Sequence, residues 1–386
     1  MIKLKLHKTK TDKELFYYFN AKDEKLFMYR HRYYDPLGRR KEKSKRGFKS
    51  EKEAYRQLLE VKSSILNGDV KQVENEDITI AEWLDIWYET KRVSWAISTQ
   101  NDRKRHIDNI IKPLIGKYRL ARLDSMTYER EFINILLEDY ASSTVKMYHK
   151  LFRISVNAAV KNKTIRENNF NHIVIPDTTT KKTDNFLSQS DLTTLLTAAK
   201  TILNITNYSL LLLLANTGMR KGEAFGLQWH NIDFDNRQIK IERTRDYDGA
   251  RSPKTLNSNR TIYVDDITLF QLKKYRSWCK KKLLSYGEHL TENNFVFISY
   301  TRAVPVGNMT INKSLNRMIK ETGIKRITVH GLRHTHATIL LSEKVSVPTV
   351  AKRLGNTAEE IHRTYGHSDD AADLQAVQVF TQSVHE

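Results

Sequence analysis

"YSLLLLLANTGMRKGEAFGLQW", residues 208–229, carries an unbroken apolar run, Leu210 to Ala215, that halts at Thr217-Gly218. The run is far shorter than the roughly 20 residues needed to cross a bilayer, so it reads as a buried helix. Gly218 suits the left-handed position that ends such a helix, and Arg220 follows directly after the break. Glu223 lies three residues further on, so on a helical turn its carboxylate shares a face with Arg220 and can orient the guanidinium. A surface ion pair fits the same spacing.

Three further stretches supply chemistry. "RQIKIERTRDYDGARSPKTLNSNRTIYVDD", residues 237–266, has two alternating runs around Asp248-Gly249 and predicts a hairpin with Lys254 near the start of its second strand. In "TVHGLRHTHATIL", residues 328–340, His330 and Arg333 stand three apart at a predicted helix N-terminus, where backbone N–H groups favour phosphate, and His334 continues the face. His330 and His334 also have the spacing of a two-histidine metal site, but glycine stands at 331 where such a site needs glutamate. "VAKRLGNTAEEIHRTYGH", residues 350–367, places Tyr365 in basic surroundings. Together these make two arginines, a lysine and a histidine for one phosphate, with a phenol as nucleophile. A phosphodiester gains negative charge in transit to its transition state, so fixed guanidinium groups can stabilise it without a metal. A free tyrosine has a pKa near 10, so His330 and Lys254 are the agents for removing and supplying protons.

Composition agrees with an anionic partner. The 386 residues suffice for two or three domains. Sixty-five Lys plus Arg against 45 Asp plus Glu give a formal net charge of +20 and a pI near 9.7, which points to nucleic acid where the charges cluster and to a solvated surface where they do not. The single cysteine, Cys279, excludes an internal disulfide and a cysteine-based metal site and fits a reducing cytoplasm. The start, Met1-Ile-Lys-Leu-Lys-Leu, lacks a signal-peptide apolar region, so no membrane association is expected.

The charges do cluster. Residues 13–19 and 25–34 are aromatic-rich, Asp35-Pro36-Leu37-Gly38 is turn chemistry, and a third basic run follows, predicting a small three-stranded sheet. Ser50 opens a helix on it that Gly68 stops. Arg30, Arg32, Arg39, Arg40, Lys43, Lys45 and Arg46, interleaved with tyrosines, are candidate DNA-binding residues, because a basic strand pair can enter the major groove; a solvated hairpin is the other reading. Residues 69–78 read as a linker. Thr79-x-x-Glu82 has capping-box spacing and opens an all-helical segment to about residue 170, whose Arg103, Lys104 and Arg105 are further phosphate-binding candidates. Residues 171–185, with Pro176, read as a second linker.

With these residues in hand, the chain resembles the tyrosine recombinase, or phage integrase, family through "TGMRKGEAFGLQW", "PKTLNSNRTI", "HGLRHTHAT" and "RLGNTAEEIHRTYGH", in that family's order. The resemblance covers nearly the whole chain. It implies a multi-domain, mainly α protein: a small α+β arm-binding domain over 1–68, an all-α core-binding domain over 79–170, and a mainly α catalytic domain with a small antiparallel sheet over 186–386.

The implied site is catalytic Arg220, Lys254, His330, Arg333, Asn356 and Tyr365, with Glu223 in support. Arg220 and Arg333 match the phosphate-clamping arginines, Lys254 the general-acid lysine, His330 the acid/base histidine and Tyr365 the nucleophile. The family usually reads Leu-Gly-His nine residues before the tyrosine; here it is Leu354-Gly355-Asn356. Asparagine does not titrate, but its amide can donate to a phosphate oxygen.

The implied activity is site-specific cutting and rejoining of duplex DNA through a 3′-phosphotyrosyl intermediate, to integrate and excise a mobile element, without metal, ATP or other cofactor. Implied partners are core and arm DNA sites, a homotetramer on that DNA, an excision directionality factor and a DNA-bending host protein, in the nucleoid region of a bacterial host's cytoplasm. The apolar spacing of Leu374, Val377 and Phe380 in the tail predicts a helix that docks on a neighbouring subunit. The alternatives are a dimer-resolving or DNA-relaxing enzyme with the same chemistry, and a DNA-binding regulator of this fold impaired by Asn356.

Overall fold

Alternation of aromatic and basic side chains along the first 50 residues builds an antiparallel sheet. The computed structural model describes residues 5–35, 37–68, 70–177, 184–247, 249–251 and 259–365, and the chain divides into two units, Met1–Thr180 and Lys181–Glu386. In the first unit β1 (His7–Lys8), β2 (Leu15–Phe19), β3 (Lys25–Tyr34) and β4 (Arg40–Phe48) pair in that order, so a two-residue strand joins the three predicted ones.

Phe27 and Tyr29 turn to one side of the pleat and pack with Leu15, Phe48, Ala54, Leu58 and Val61 against α1 (Glu51–Leu66). The Ser50 hydroxyl accepts from the Glu53 N–H at 3.2 Å and so caps α1. Within the expected linker, α2 (Val70–Glu74) forms and Val73 joins this core. Two valines three apart among polar residues are too sparse a period to announce a helix.

Thr79 and Glu82 form the full capping box at α3 (Ile80–Lys91). There follow α4 (Ile97–His106), α5 (Lys112–Ile115), α6 (Ser125–Tyr128), α7 (Ile135–Asp139) and α8 (Ser142–Lys161), with π-helical turns at Ile107–Ile111 and Glu129–Asn134. Their core is aromatic, with Trp83, Trp87, Tyr128, Phe132, Phe152 and Phe170 buried.

The second unit is built around α10 (Ile205–Thr217), which follows α9 (Gln189–Ile202) and is buried along the whole apolar run Leu210–Ala215. A helix apolar on every side belongs in a core, and α10 lies against α12 (Asp266–Leu284), α13 (Thr310–Thr322) and α14 (Val329–Ser342). Along the chain α11 (Lys221–Gly226) follows α10, and α15 (Val347–Leu354) and α16 (Ala358–Tyr365) close the described chain.

The predicted hairpin divides in two: β6 (Gln238–Ile241) pairs with β5 (Ile232–Asp233) and β9 (Arg260–Tyr263), whereas β7 (Thr244–Asp246) and β8 (Gly249–Arg251) make their own ladder. Ile239, Ile241 and Ile262 bury into the core, which the polar residues 244–251 cannot do. Arg245 anchors the polar ladder, its Nε donating to the Phe225 carbonyl at 3.0 Å and its Nη2 to that of Val306 at 2.7 Å.

Gly218 ends α10 in the left-handed conformation, at φ +65°, as the sequence predicts. A Cβ there would stand 2.7 Å from Leu354 Cδ2 and 2.9 Å from His336 Cδ2. Gly218→Ala is therefore expected to cost about 1–3 kcal/mol through strain and overpacking. Differential scanning calorimetry of the variant against the unaltered protein measures it; an unchanged unfolding temperature would show that the site relaxes freely.

Candidate active site

Three chain breaks converge. Arg220 follows the left-handed end of α10, Asn356 follows the left-handed Gly355 (φ +66°) at the end of α15, and Arg333 lies in the first turns of α14. The Asn356 Oδ1 accepts from Arg220 Nη2 at 2.6 Å and from Arg333 Nη2 at 2.8 Å. A guanidinium only donates, so the amide must turn its oxygen to both arginines, which directs its NH2 elsewhere as a donor. Arg333 Nη1 donates to the Gly218 carbonyl at 3.0 Å and Arg220 Nη2 to that of Gly355 at 3.3 Å. Arg333 is buried, 3 % exposed, whereas the Arg220 side chain keeps 37 % of its surface open.

Glu223, 3 % exposed, accepts from the Arg220 backbone N–H and from Arg220 Nη1, each at 2.9 Å. The predicted pair is thus real and internal rather than a surface contact. The same carboxylate accepts from Arg260 Nη1 at 3.1 Å and Nη2 at 2.9 Å. Burial pulls the carboxyl upward, but the bonds and charges of Arg260 and Arg220 outweigh it and hold Glu223 below its ordinary range.

His330 sits at the start of α14 with its ring edge-on to His334, centroids 4.7 Å apart. Loss of hydration among its neighbours, then the charges of His334, Arg333 and Arg220, push His330 down to about 4, so it is neutral at pH 7. Lys254 and the side chain of Tyr365 lie outside the described residues, as does the tail after Tyr365; the backbone of Tyr365 closes α16.

Two contributors went unnoticed in the sequence reading. Arg260 stands first in β9, and only the neighbouring inward Ile262 hints that the strand's alternation turns it inside. His336 accepts at Nε2 from Arg353 Nε, 2.9 Å away, and its Nδ1 lies 3.1 Å from the Ala215 carbonyl. Because Nε2 must accept, this histidine is neutral with its proton on Nδ1. Burial, then Arg353, pushes it down to about 4. His149, buried beside the Tyr128 hydroxyl at 3.0 Å, is likewise pushed down to about 4, by burial and then by Arg153.

These histidines set the acid stability. Their folded forms stay neutral down to about pH 4 while the unfolded chain takes up protons below about 6.5. Stability is therefore complete above pH 6.5 and drains as the pH falls to 4, by up to about 3 kcal/mol each for His149 and His336. Glu223, with an ordinary value of 4.5 and a lower one in the folded protein, begins to add its own loss near the bottom of that window. Urea unfolding followed by tryptophan fluorescence is expected to show a lower midpoint at pH 5 than at pH 7. Equal midpoints would contradict neutral buried histidines.

The basic candidates of the first unit fall into separate groups. The register Arg30↔Ser44 and Arg32↔Glu42 puts Arg30, Arg32 and Glu42 on the sheet face away from α1, with both guanidinium Nε atoms 3.1 Å from the Glu42 carboxylate. Arg40 and Arg46 pair with Tyr34 and Met28 on that same face and are exposed. Lys43 and Lys45 turn to the α1 side: Lys43 Nζ donates to the Val73 carbonyl at 2.6 Å, and the two lysines lie 3.5 and 3.7 Å from Glu76. Arg39 pairs with Asp35 at 2.8 Å. In the helical part Arg103 stacks on Trp95, 4.1 Å from its ring centroid, Lys104 meets Asp85 and Asp108, and Arg105 meets Asp102 at 2.5 Å.

Residues 185–372, the whole clamp included, match the Phage integrase family; residues 16–65 match an arm DNA-binding domain and residues 79–137 a phage integrase N-terminal SAM-like domain. The chain belongs to the phage integrase family. Among its relatives is a tyrosine recombinase XerC-like protein of Caldanaerobacter subterraneus, 26 % identical over 80 % of this chain and 83 % of the relative. The integrase of Staphylococcus phage L54a is 26 % identical over 79 % of this chain and 92 % of its own. A solved integrase of the transposon Tn1549, in complex with transposon right end DNA, shares the fold with a TM-score of 0.66 at 18 % identity, over 78 % of this chain and 99 % of that one. The chain is accordingly a site-specific DNA recombinase of the integrase kind. Among the described residues of this integrase, no helix is long and apolar enough to cross a membrane.

Proposed function

We propose that this integrase cuts and rejoins duplex DNA with Tyr365 as nucleophile in the clamp of Arg220, Arg333 and Asn356. The observation that carries the assignment is the convergence of both guanidinium groups on Asn356 Oδ1, at 2.6 and 2.8 Å. The Tyr365 phenol oxygen attacks the scissile phosphorus, the bond to the 5′ oxygen breaks, and a 3′-phosphotyrosyl linkage forms. One phosphoester replaces another, so the joining step needs no ATP. Arg220 and Arg333 face the nonbridging oxygens, and the Asn356 NH2 adds a third donor. Neutral His330 takes up the phenol proton, and Lys254 protonates the departing 5′ oxygen. Rejoining reverses these roles with the 5′ hydroxyl of the partner strand.

In this proposal residues 1–68 bind arm sites, residues 79–170 grip the core, residues 186–386 cut, and residues 69–78 and 171–185 link them. The sheet face with Arg30, Arg32, Arg40 and Arg46 enters the arm-site groove. Four subunits act on two sites in the bacterial cytoplasm, assisted by a directionality factor and a DNA-bending host protein. The reading as an impaired regulator rested on Asn356 alone, and that residue's bonds to both arginines argue against it.

The test is a nicked suicide duplex bearing the core site. The unaltered protein is expected to become covalently attached to it at the same rate in excess EDTA as with Mg²⁺, because arginines rather than a metal meet the developing charge. A strict Mg²⁺ requirement would overturn the site assignment, and absence of any adduct would overturn the function.

A further inference from the structure

We propose that Arg260 is the positioning residue of this clamp: it neutralises Glu223 and fixes the distance between the two loops that carry Arg220 and Asn356. The inference rests on the catalytic reading above and deepens it. Arg260 touches no reacting atom in that scheme. Its side chain is 5 % exposed and its fork is spent on two segments far apart in sequence. Nη1 and Nη2 take the two oxygens of Glu223 at 3.1 and 2.9 Å, and Nε donates to the Arg353 carbonyl at 2.7 Å. Glu223 caps the start of α11 through the Arg220 N–H, and Arg353 lies in the last turn of α15, just before Gly355 and Asn356. One rigid guanidinium therefore spans the base of the cradle whose two rims hold the phosphate.

The charge balance makes the role more than mechanical. Arg220 and Arg333 bring two positive charges to the phosphate and the buried Glu223 brings a negative one. Arg260 cancels that negative charge and leaves the clamp with two net positive charges. Without it, Arg220 is the one counter-ion left to Glu223 among the described residues, and the carboxylate draws that guanidinium inward, away from the phosphate. A lysine at 260 keeps the charge but cannot hold both carboxylate oxygens and the Arg353 carbonyl together.

The experiment is single-turnover cleavage of the suicide duplex by full-length protein at saturating concentration, alongside core-site affinity. Arg260→Met is expected to slow cleavage roughly 100-fold while affinity stays within about threefold. Arg260→Lys is expected to fall between, slower by about tenfold. The deciding variant is Glu223→Gln/Arg260→Met, which removes both buried charges, keeps an amide oxygen for Arg220 and restores the two net positive charges. It is expected to recover at least about tenfold over Arg260→Met, and it serves as the folded comparison if the single variant does not fold. A scissile methylphosphonate, which carries one negative charge fewer, is expected to narrow the gap between Arg260→Met and the unaltered protein.

A double variant no faster than the single one, with an unchanged methylphosphonate gap, would reduce Arg260 to a scaffold residue and overturn the proposal. If the unaltered protein forms no adduct, the catalytic reading fails as well. If it forms one and Arg260→Met matches it, only the positioning role is lost.

Discussion

Tyr365→Phe is expected to abolish the covalent adduct on the suicide duplex and to leave core-site affinity within about twofold, because it removes one oxygen and keeps the ring. The rest of the proposed site accounts for why nothing replaces that oxygen. His330, the proposed proton acceptor, is pushed down to about 4 and neutral at pH 7. Arg220 and Arg333 are tied to Asn356 and to backbone carbonyls, and a guanidinium is no nucleophile. A gel-resistant protein–DNA band, followed by peptide mapping, measures the outcome. A persistent band from the variant would move the nucleophile to another residue and detach α16 from the chemistry.

The second large effect is expected at Arg333. Replacing it by alanine takes away one of the two cations proposed to meet the phosphate, which is worth about 10²–10³-fold or more in single-turnover cleavage. It also strips a donor from the Gly218 carbonyl and from Asn356 Oδ1, contacts of 3.0 and 2.8 Å. A buried acceptor left without its donor costs about 1–3 kcal/mol, so circular dichroism and an unfolding temperature must accompany the rate. Arg333→Lys is not expected to rescue cleavage, because one ammonium cannot reach Gly218, Asn356 and the phosphate together. A loss below about tenfold for the alanine variant would separate Arg333 from the transition state.

Local rules made much of the fold legible. Ser50 and Thr79 each cap the helix that the sequence assigns to them, and Gly218 takes the left-handed position. These depend on residues within one turn of each other, so the chain states them directly. The split of the predicted hairpin into two ladders was not legible, because β6 pairs with β9 across the polar residues that form β7 and β8. Alternation gives a strand its faces but does not choose its partner.

The basic run of the first unit shows the same divide. Sequence marks Arg30, Arg32, Lys43 and Lys45 as a cluster. The register then sends the arginines to one face with Glu42 and the lysines to the other with Glu76.

By itself the sequence determined the buried helix α10, the arginine at its end, the histidine–arginine pair of α14 and the order in which these follow one another. Each is a matter of neighbours along the chain. Only the tertiary structure decided that Asn356 carries both arginines and that Glu223 is shared between Arg220 and Arg260. Three of those bonds join residues 23, 37 and 136 positions apart. Folding sets such long-range distances by packing α10, α11, α14 and α15 together, and no local pattern of side chains encodes them.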